Sequence, residues 1–239
     1  MTDVAGMQAD AAVYQGMVKA IAGVRCASDR VLTSVHVADY ERNLQLAVDQ
    51  RSDLVIAPSF LLADAVSVVA RANPETRFML VDPLLVPSPL PNLLSIQFRR
   101  EQSAFLAGAL AGLLTKTGIV AGIYGPGDRT DRQQRAGFEH GAEYVRPGVR
   151  VLGADQPADD GAPYDNPAWG DSQARAFAAQ GADVIFGAGG TTGTGALRGA
   201  AATGRLCIAV DLAIPFGSSA PSCLVGNATT DVVRGVSLG

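Results

Sequence analysis

The chain has 239 residues, enough for one large domain or two small lobes. Hydrophobic residues make up 48% of it and charged residues 18%, a composition that can close a sizeable core and excludes a disordered or low-complexity chain. The formal net charge is −4 and the basic residues are scattered singly, which argues against nucleic acid as a partner.

Short apolar runs that stop at Asp, Gly or Pro alternate along the chain with segments of helical spacing. The runs show little polar alternation, as expected for strands buried on both faces of a parallel sheet. The predicted strands are 54–56, 78–81, 119–123, 184–186 and 206–210, and the predicted helices are 39–50, 63–72 and 105–114. Strands and helices that alternate at a spacing of about 30 residues predict βαβ units and an α/β fold.

The chain also contains an internal repeat. Asp82 follows Asp53 by 29 residues, and Asp211 follows Asp183 by 28 residues, each second acid standing at a strand end. Similar pairs in the same order predict two similar α/β lobes rather than one long sheet. The expected boundaries are 1–97 for lobe 1, 98–214 for lobe 2 and 215–239 for a return segment to the hinge and lobe 1.

Polar residues follow several of the predicted strands, where open parallel sheets bind their ligands. These strand ends carry Asp3, Asp82, Asp128, Asp211 and the glycine-rich loop 187–195. Carboxylates there suit a ligand rich in hydroxyl or amino donors, such as a sugar or nucleoside, and would repel phosphates. A structural role stays open for each acid, since strand-terminal Asp often caps the next helix.

The motifs of common enzyme and metal sites are missing from the sequence. The glycine-rich loop lacks the lysine of a Walker loop and the third glycine of a dinucleotide fingerprint. No GxSxG, HExxH or CxxC motif is present, and His36 and His140 are the only histidines, so we expect no catalysis, metal or cofactor. A hydrolase using carboxylates alone stays an open alternative. Cys26, Cys207 and Cys223 are interpreted as small hydrophobic residues rather than a disulfide framework.

Several stretches of the sequence resemble one family of binding proteins. The most specific run from Ser-Ala-Phe-Leu-Ala-Gly at 103–108 to Thr-Lys-Thr-Gly at 115–118, and Gln-Gly-Ala-Asp-Val-Ile-Phe covers 180–186. Shorter ones lie at 1–6, 39–41, 53–56, 166–167 and 210–211. In this order they resemble the basic membrane protein family, purine nucleoside receptor-like lipoproteins of ABC transporters.

The resemblance implies a type I periplasmic-binding-protein fold, with two Rossmann-like lobes of parallel sheet, a hinge and a ligand in the interlobe cleft. We expect this fold to be incomplete at both termini. The ligand-binding residues that the resemblance implies are Asp3, Asp82, Asp128, Phe186, Gly190, Thr191 and Asp211. Among them, Phe186 matches an aromatic residue that stacks on the purine, and Asp211 matches an acid that pairs with ribose hydroxyls.

Two stretches differ from the family pattern. The interval from Asp3 to Tyr14 is short and lacks the usual Phe-Asn pair, and residues 229–231 stand where a lysine usually follows the last strand. A missing aromatic ring and a missing charged donor both reduce the free energy of binding. We therefore expect weaker nucleoside binding than in a complete family member.

As a function, the resemblance implies the substrate-binding component of an ABC importer. Its partners would be a purine nucleoside or similar small molecule and the transporter permease, and a monomer is expected. The resemblance also implies an extracytoplasmic, membrane-anchored lipoprotein. Residues 1–3 show no signal-peptide features, which leaves a cytoplasmic location open. The alternative is a ligand-sensing regulatory domain of the same fold that is not coupled to transport.

Overall fold

Helices and strands alternate along almost the whole chain of this computed structural model, which describes residues 4–22, 28–34, 36–81, 89–159, 163–211 and 221–238. In chain order the elements are α1 (Val4–Ile21), α2 (Asp39–Asp49), β1 (Leu54–Ala57), a 3₁₀ turn (Phe60–Leu62), α3 (Ala63–Ala72), β2 (Arg77–Val81), β3 (Leu93–Ile96), α4 (Arg100–Leu114), β4 (Ile119–Tyr124), α5 (Arg129–Val145), β5 (Arg150–Asp155), α6 (Pro167–Ala179), β6 (Val184–Gly187), α7 (Gly190–Ala202), β7 (Leu206–Val210), β8 (Leu224–Ala228) and α8 (Val232–Leu238). The predicted strands and helices are all among them.

The chain divides into two units. Unit 1 comprises residues 1–98 and 231–239, and unit 2 comprises residues 99–230. The return segment does not start at residue 215, as the expected bounds of 215–239 had it. Strand β8 pairs with β7 and so belongs to the unit-2 sheet. The predicted α/β fold, with parallel sheets in two lobes, is confirmed.

Unit 1 contains a parallel sheet of three strands in the order β1-β2-β3. Side chains of a strand point alternately to its two faces, and both faces of β2 are covered. Phe78 and Leu80 pack in a cluster with residues of α2 and α3. Met79 and Val81 pack on the other face with Val13 of α1 and with α8. This double burial explains why β2 is apolar without alternation.

Unit 2 contains a parallel sheet of five strands in the order β5-β4-β6-β7-β8. The side chains of β4 also point alternately into two cores, one on each face of the sheet. Val120 and Tyr124 pack in the core with residues of α4 and α5. Ala121 and Ile123 pack in the core with residues of α6 and α7. The sheet therefore lies between two helix pairs, as in other doubly wound α/β folds.

Each of these helix pairs packs with its backbones in close contact. A Cβ atom added at Gly141 of α5 would lie 2.0 Å from the carbonyl oxygen of Phe105 in α4, and one at Gly195 of α7 would lie 2.0 Å from that of Pro167 in α6. Any side chain there would force the helices apart. Since Gly137 meets Glu101 and Gly141 meets Phe105, α4 and α5 run parallel and begin at the same edge of the sheet.

A disulfide joins two of the cysteines in unit 2. Cys207 in β7 and Cys223, just before β8, are bonded with their Cα atoms 5.1 Å apart, and both are buried. The interpretation of these two residues as merely small hydrophobes is therefore wrong. Their 16-residue separation is closed because β7 and β8 are neighbours, and the Cys207 amide donates to the Cys223 carbonyl at 2.7 Å. Cys26 lies outside the described residues.

Candidate functional site

The carboxyl ends of the unit-2 strands form an edge with a topological switch point between β4 and β6. β5 pairs with one side of β4 and β6 with the other. β4 leads into α5 on one face of the sheet, whereas β6 leads into α7 on the opposite face. Connections that diverge in this way leave a crevice, which is where open α/β sheets bind ligands. We call this place the switch-point crevice.

Glycines let the two connections touch at the switch-point crevice. A Cβ atom at Gly189 would lie 2.4 Å from the backbone nitrogen of Gly125, so the two backbones are in direct contact. Gly189 and Gly190 also have φ of 83° and 64°, in the left-handed region that glycine adopts without strain. The predicted ligand residues Gly190 and Thr191 form the first turn of α7 at this crevice.

Asp128 lies on the other side of the crevice and acts as the N-cap of α5. Its Oδ1 accepts hydrogen bonds from the backbone amides of Thr130 at 2.7 Å and Asp131 at 3.0 Å. Its Oδ2 accepts a hydrogen bond from the hydroxyl of Tyr164. The capping role that the sequence left open for this acid is therefore present, and both of its oxygens already accept protein donors.

Asp131 is a buried acid that was not among the predicted site residues. Asp131 is only 1% exposed, and its Oδ2 accepts a hydrogen bond from the backbone amide of Gly127 at 3.1 Å. Burial, and after it the negative charge of Asp128, raises the pKa of Asp131 to about 6. The sequence feature that could have indicated its burial is its position. Asp131 lies three residues after the N-cap acid, on the helix face that also buries Gln134 and Phe138.

Tyr164, between β5 and α6, connects the two sides of the crevice. Its carbonyl accepts hydrogen bonds from the Thr191 amide at 3.0 Å and the Thr191 hydroxyl at 3.2 Å. A Cβ atom at Gly125 would lie 2.3 Å from its Cε1, so the ring lies against that glycine. Burial and the hydrogen bond to Asp128 raise the pKa of the Tyr164 hydroxyl. Tyr164 was not among the predicted site residues.

A buried pair of polar side chains lies beneath the first turn of α7. The hydroxyl of Thr192 donates to Oε1 of Gln156 at 2.8 Å and accepts a hydrogen bond from the Asn166 amide at 2.9 Å. Thr192 and Gln156 are both almost fully buried. The glycine-rich loop is therefore tied to the end of β5 and to the start of α6.

Asp211 follows β7, as expected, and its carboxylate has a cationic partner. Arg100 donates to its Oδ2 at 2.8 Å, and the Thr230 amide donates to its Oδ1 at 3.3 Å. Asp211 has a φ of 45°, a strained conformation for a residue other than glycine and one common at functional sites. Its side chain is 38% exposed, so a ligand could still reach it. The Thr230 hydroxyl is buried and has no hydrogen-bond partner among the described residues.

The expected stacking role of Phe186 is not supported and needs correction. Its ring is 0% exposed and stacks on Phe138 of α5, with ring centroids 4.8 Å apart and planes 4° apart. Tyr124 packs edge-on against the same ring. Strand alternation explains the error, since Val184, Phe186 and Ala188 all belong to the core on the α4–α5 side. A ring enclosed in this core does not present a face to a ligand.

The remaining candidate acids, Asp3 and Asp82, lie outside the described residues. Within the described ranges, no group of His, Cys, Asp and Glu side chains is arranged to hold a metal ion. Nor does that part of the chain contain a helix with the length and apolar character needed to cross a membrane.

The two most specific sequence motifs meet at the opposite edge of the unit-2 sheet, around Asp183. Its carboxylate accepts hydrogen bonds from the Thr115 hydroxyl at 2.5 Å, the Lys116 amide at 2.7 Å and the Thr117 amide at 3.0 Å. Burial alone would raise the pKa of Asp183, but these hydrogen bonds lower it below the ordinary value. The Thr-Lys-Thr-Gly and Gln-Gly-Ala-Asp stretches therefore stabilise the fold and do not touch the crevice.

Residues 4–232 match the family described as "Bmp: ABC transporter substrate-binding protein PnrA-like". The chain belongs to this family. The resemblance to basic membrane proteins is thereby confirmed.

Curated relatives and a solved structure agree with this assignment. A CD4+ T-cell-stimulating antigen of Listeria monocytogenes is 36% identical over 167 residues, 69% of this chain and 44% of that protein. An ABC transporter nucleoside-binding protein, BmpA, of Lactococcus lactis is 30% identical over 158 residues, 66% of this chain and 43% of that protein. The chain thus spans less than half the length of these two relatives. A solute-binding protein of Aeropyrum pernix superposes with a TM-score of 0.77 at 21% identity, covering 100% of this chain and 67% of that chain, a likeness of fold.

Proposed function

We propose that this chain belongs to the substrate-binding protein of an ABC importer and binds a nucleoside or a similar polyhydroxylated molecule. Family membership and the name of the Lactococcus lactis relative support a transport role and a nucleoside ligand. The observation that carries the proposal is the switch-point crevice of unit 2, with the first turn of α7 on one side and Asp211 following a neighbouring strand.

The polar groups at this edge suit a neutral ligand with several hydroxyl groups. Asp211 offers carboxylate oxygens as acceptors. The Thr191 hydroxyl, whose hydrogen is donated within the protein, offers its oxygen as a further acceptor, and the backbone at Gly190 has no side chain to keep a ligand away. Arg100 balances the charge of Asp211, so the pair can accept from and donate to the same ligand. Asp3 and Asp82 stay predicted ligand contacts. Binding of this kind is non-covalent, and we propose no catalytic step.

An extracytoplasmic location and a transporter permease as partner follow from the same proposal. The Cys207–Cys223 disulfide supports the location, because disulfides persist in oxidising compartments and are rare in the cytosol. Uptake of labelled nucleoside by cells that carry or lack the gene tests the coupling to transport. Nucleoside binding without any change in uptake would favour the sensor alternative.

Calorimetric titration with purine nucleosides, comparing the wild type with Asp211→Ala, tests the ligand assignment. The substitution removes a charged acceptor, and we expect affinity to fall by about 10- to 100-fold, since hydrogen bonds to charged groups contribute about 1.5–3 kcal/mol. Asp171→Ala is the matched control, because Asp171 pairs with Arg175 on the surface of α6. Wild-type binding that is unchanged in Asp211→Ala would contradict the assigned site, and absence of wild-type binding would contradict the ligand class.

A further inference from the structure

We infer that Tyr164 is a ligand-contacting residue and that its ring is the aromatic surface on which the ligand's base stacks. The inference rests on the proposed function, because it concerns the same crevice. Tyr164 lies in the segment between β5 and α6. Its ring provides the aromatic contact that Phe186, enclosed in the core, cannot provide.

The position of Tyr164 is the first argument. Its hydroxyl donates to Asp128 at the start of α5, and its carbonyl accepts from Thr191 at the start of α7. These two helices leave the sheet on opposite faces, so a residue bonded to both must span the switch-point crevice. A ligand bound there lies beside Tyr164.

The packing of the ring is the second argument. One part of the ring lies against Gly125, where any side chain would collide with it, and Tyr164 as a whole is only partly buried. The hydroxyl bond to Asp128 fixes the ring at its far end. The ring is therefore held against Gly125 and fixed in one orientation, in a residue that is only partly buried. A preorganised aromatic surface loses little freedom when a base stacks on it.

The backbone of Tyr164 is the third argument. Its φ of 65° lies in the left-handed region, which a bulky residue adopts only where surrounding contacts enforce it. Strain of this type collects at ligand-binding segments. Here the contacts that enforce it are the hydrogen bonds of its own carbonyl and hydroxyl, which both lead to the crevice.

Titration of Tyr164→Leu and Tyr164→Phe with a purine nucleoside and, separately, with free ribose tests the inference. Loss of stacking on one base costs about 1–3 kcal/mol, which corresponds to an affinity loss of about 5- to 150-fold for Tyr164→Leu. We expect this loss for the nucleoside alone, with ribose binding unchanged, because ribose has no base. Tyr164→Phe keeps the ring but loses the hydroxyl bond that orients it, so we expect a smaller affinity loss than in Tyr164→Leu, again for the nucleoside alone.

Tyr144→Leu is the matched control, because Tyr144 is 77% exposed on α5 and belongs to the same unit. Thermal unfolding of each variant checks that unit 2 still folds, and Tyr164→Phe keeps the test valid if Tyr164→Leu does not fold. A fall in nucleoside and ribose affinity by the same factor would show a structural role and overturn the inference. Unchanged nucleoside affinity in Tyr164→Leu would also overturn it. Failure of the wild type to bind any nucleoside would instead contradict the proposed function.

Discussion

Replacing Asp131 with asparagine should stabilise the protein at neutral pH and have little effect at acid pH. Burial raises the pKa of this carboxyl from 3.8 to about 6 in the folded state. The folded state therefore binds more protons than the unfolded state between these two values, so the free energy of unfolding falls as pH rises through that window. At about 1.4 kcal/mol per pKa unit, ionised Asp131 costs the folded state about 3 kcal/mol above pH 6.

Asparagine has nearly the same shape and can still accept the Gly127 hydrogen bond, but it cannot ionise. We therefore expect Asp131→Asn to raise the free energy of unfolding by up to about 3 kcal/mol near pH 7.5 and by much less near pH 4. Urea unfolding followed by the fluorescence of Trp169, the single tryptophan, reports on unit 2. Asp171→Asn on the surface of α6 is the control. A stabilisation that does not grow between the two pH values would refute the reasoning.

Two further substitutions test the structural part of unit 2. Asp183→Ala should lower the free energy of unfolding by at least about 3 kcal/mol at neutral pH, because three donors lose a charged acceptor. Folding lowers the pKa of Asp183, so the difference in unfolding free energy between wild type and variant should shrink as pH falls below the ordinary value of 3.8. A difference in urea unfolding that stays constant with pH would contradict the structural role of the Asp183 carboxylate. Gly141→Ala should destabilise by at least about 2 kcal/mol, since its Cβ would collide with Phe105. Glu143→Ala, on the same helix, is its control in thermal unfolding, and equal midpoints would show that α4 and α5 can separate at no cost.

The fold could be predicted from the sequence because its signals are local. Uninterrupted apolar runs such as Val184–Phe186 mark strands buried on both faces, and the helical segments between them imply parallel order. The family stretches are equally local. Two of them have a structural role, because residues 115–117 donate hydrogen bonds to Asp183 at the edge remote from the crevice.

The site was harder to predict because its contacts join residues that are distant in sequence. Arg100 and Asp211 are 111 residues apart, and Tyr164 and Asp128 are 36 apart, so neither pair has a spacing signal. Phe186 is a different case, because strand alternation already placed it with Val184 on the α4–α5 face. The Cys207–Cys223 disulfide required knowing that β7 and β8 are neighbours.

The close parallel packing of the two helix pairs has an electrostatic consequence. The helices α4 and α5 run parallel, and so do α6 and α7. All four helices begin at the carboxyl edge of the unit-2 sheet. Each helix start carries a partial positive charge of about one half, so their dipoles converge on this edge. Asp128 opposes that field with a negative charge at the start of α5, whereas the charge of Asp211 is already balanced by Arg100. The dipole field at this edge is therefore only partly offset, and it orients a neutral, dipolar ligand with its electron-rich oxygens toward the helix starts.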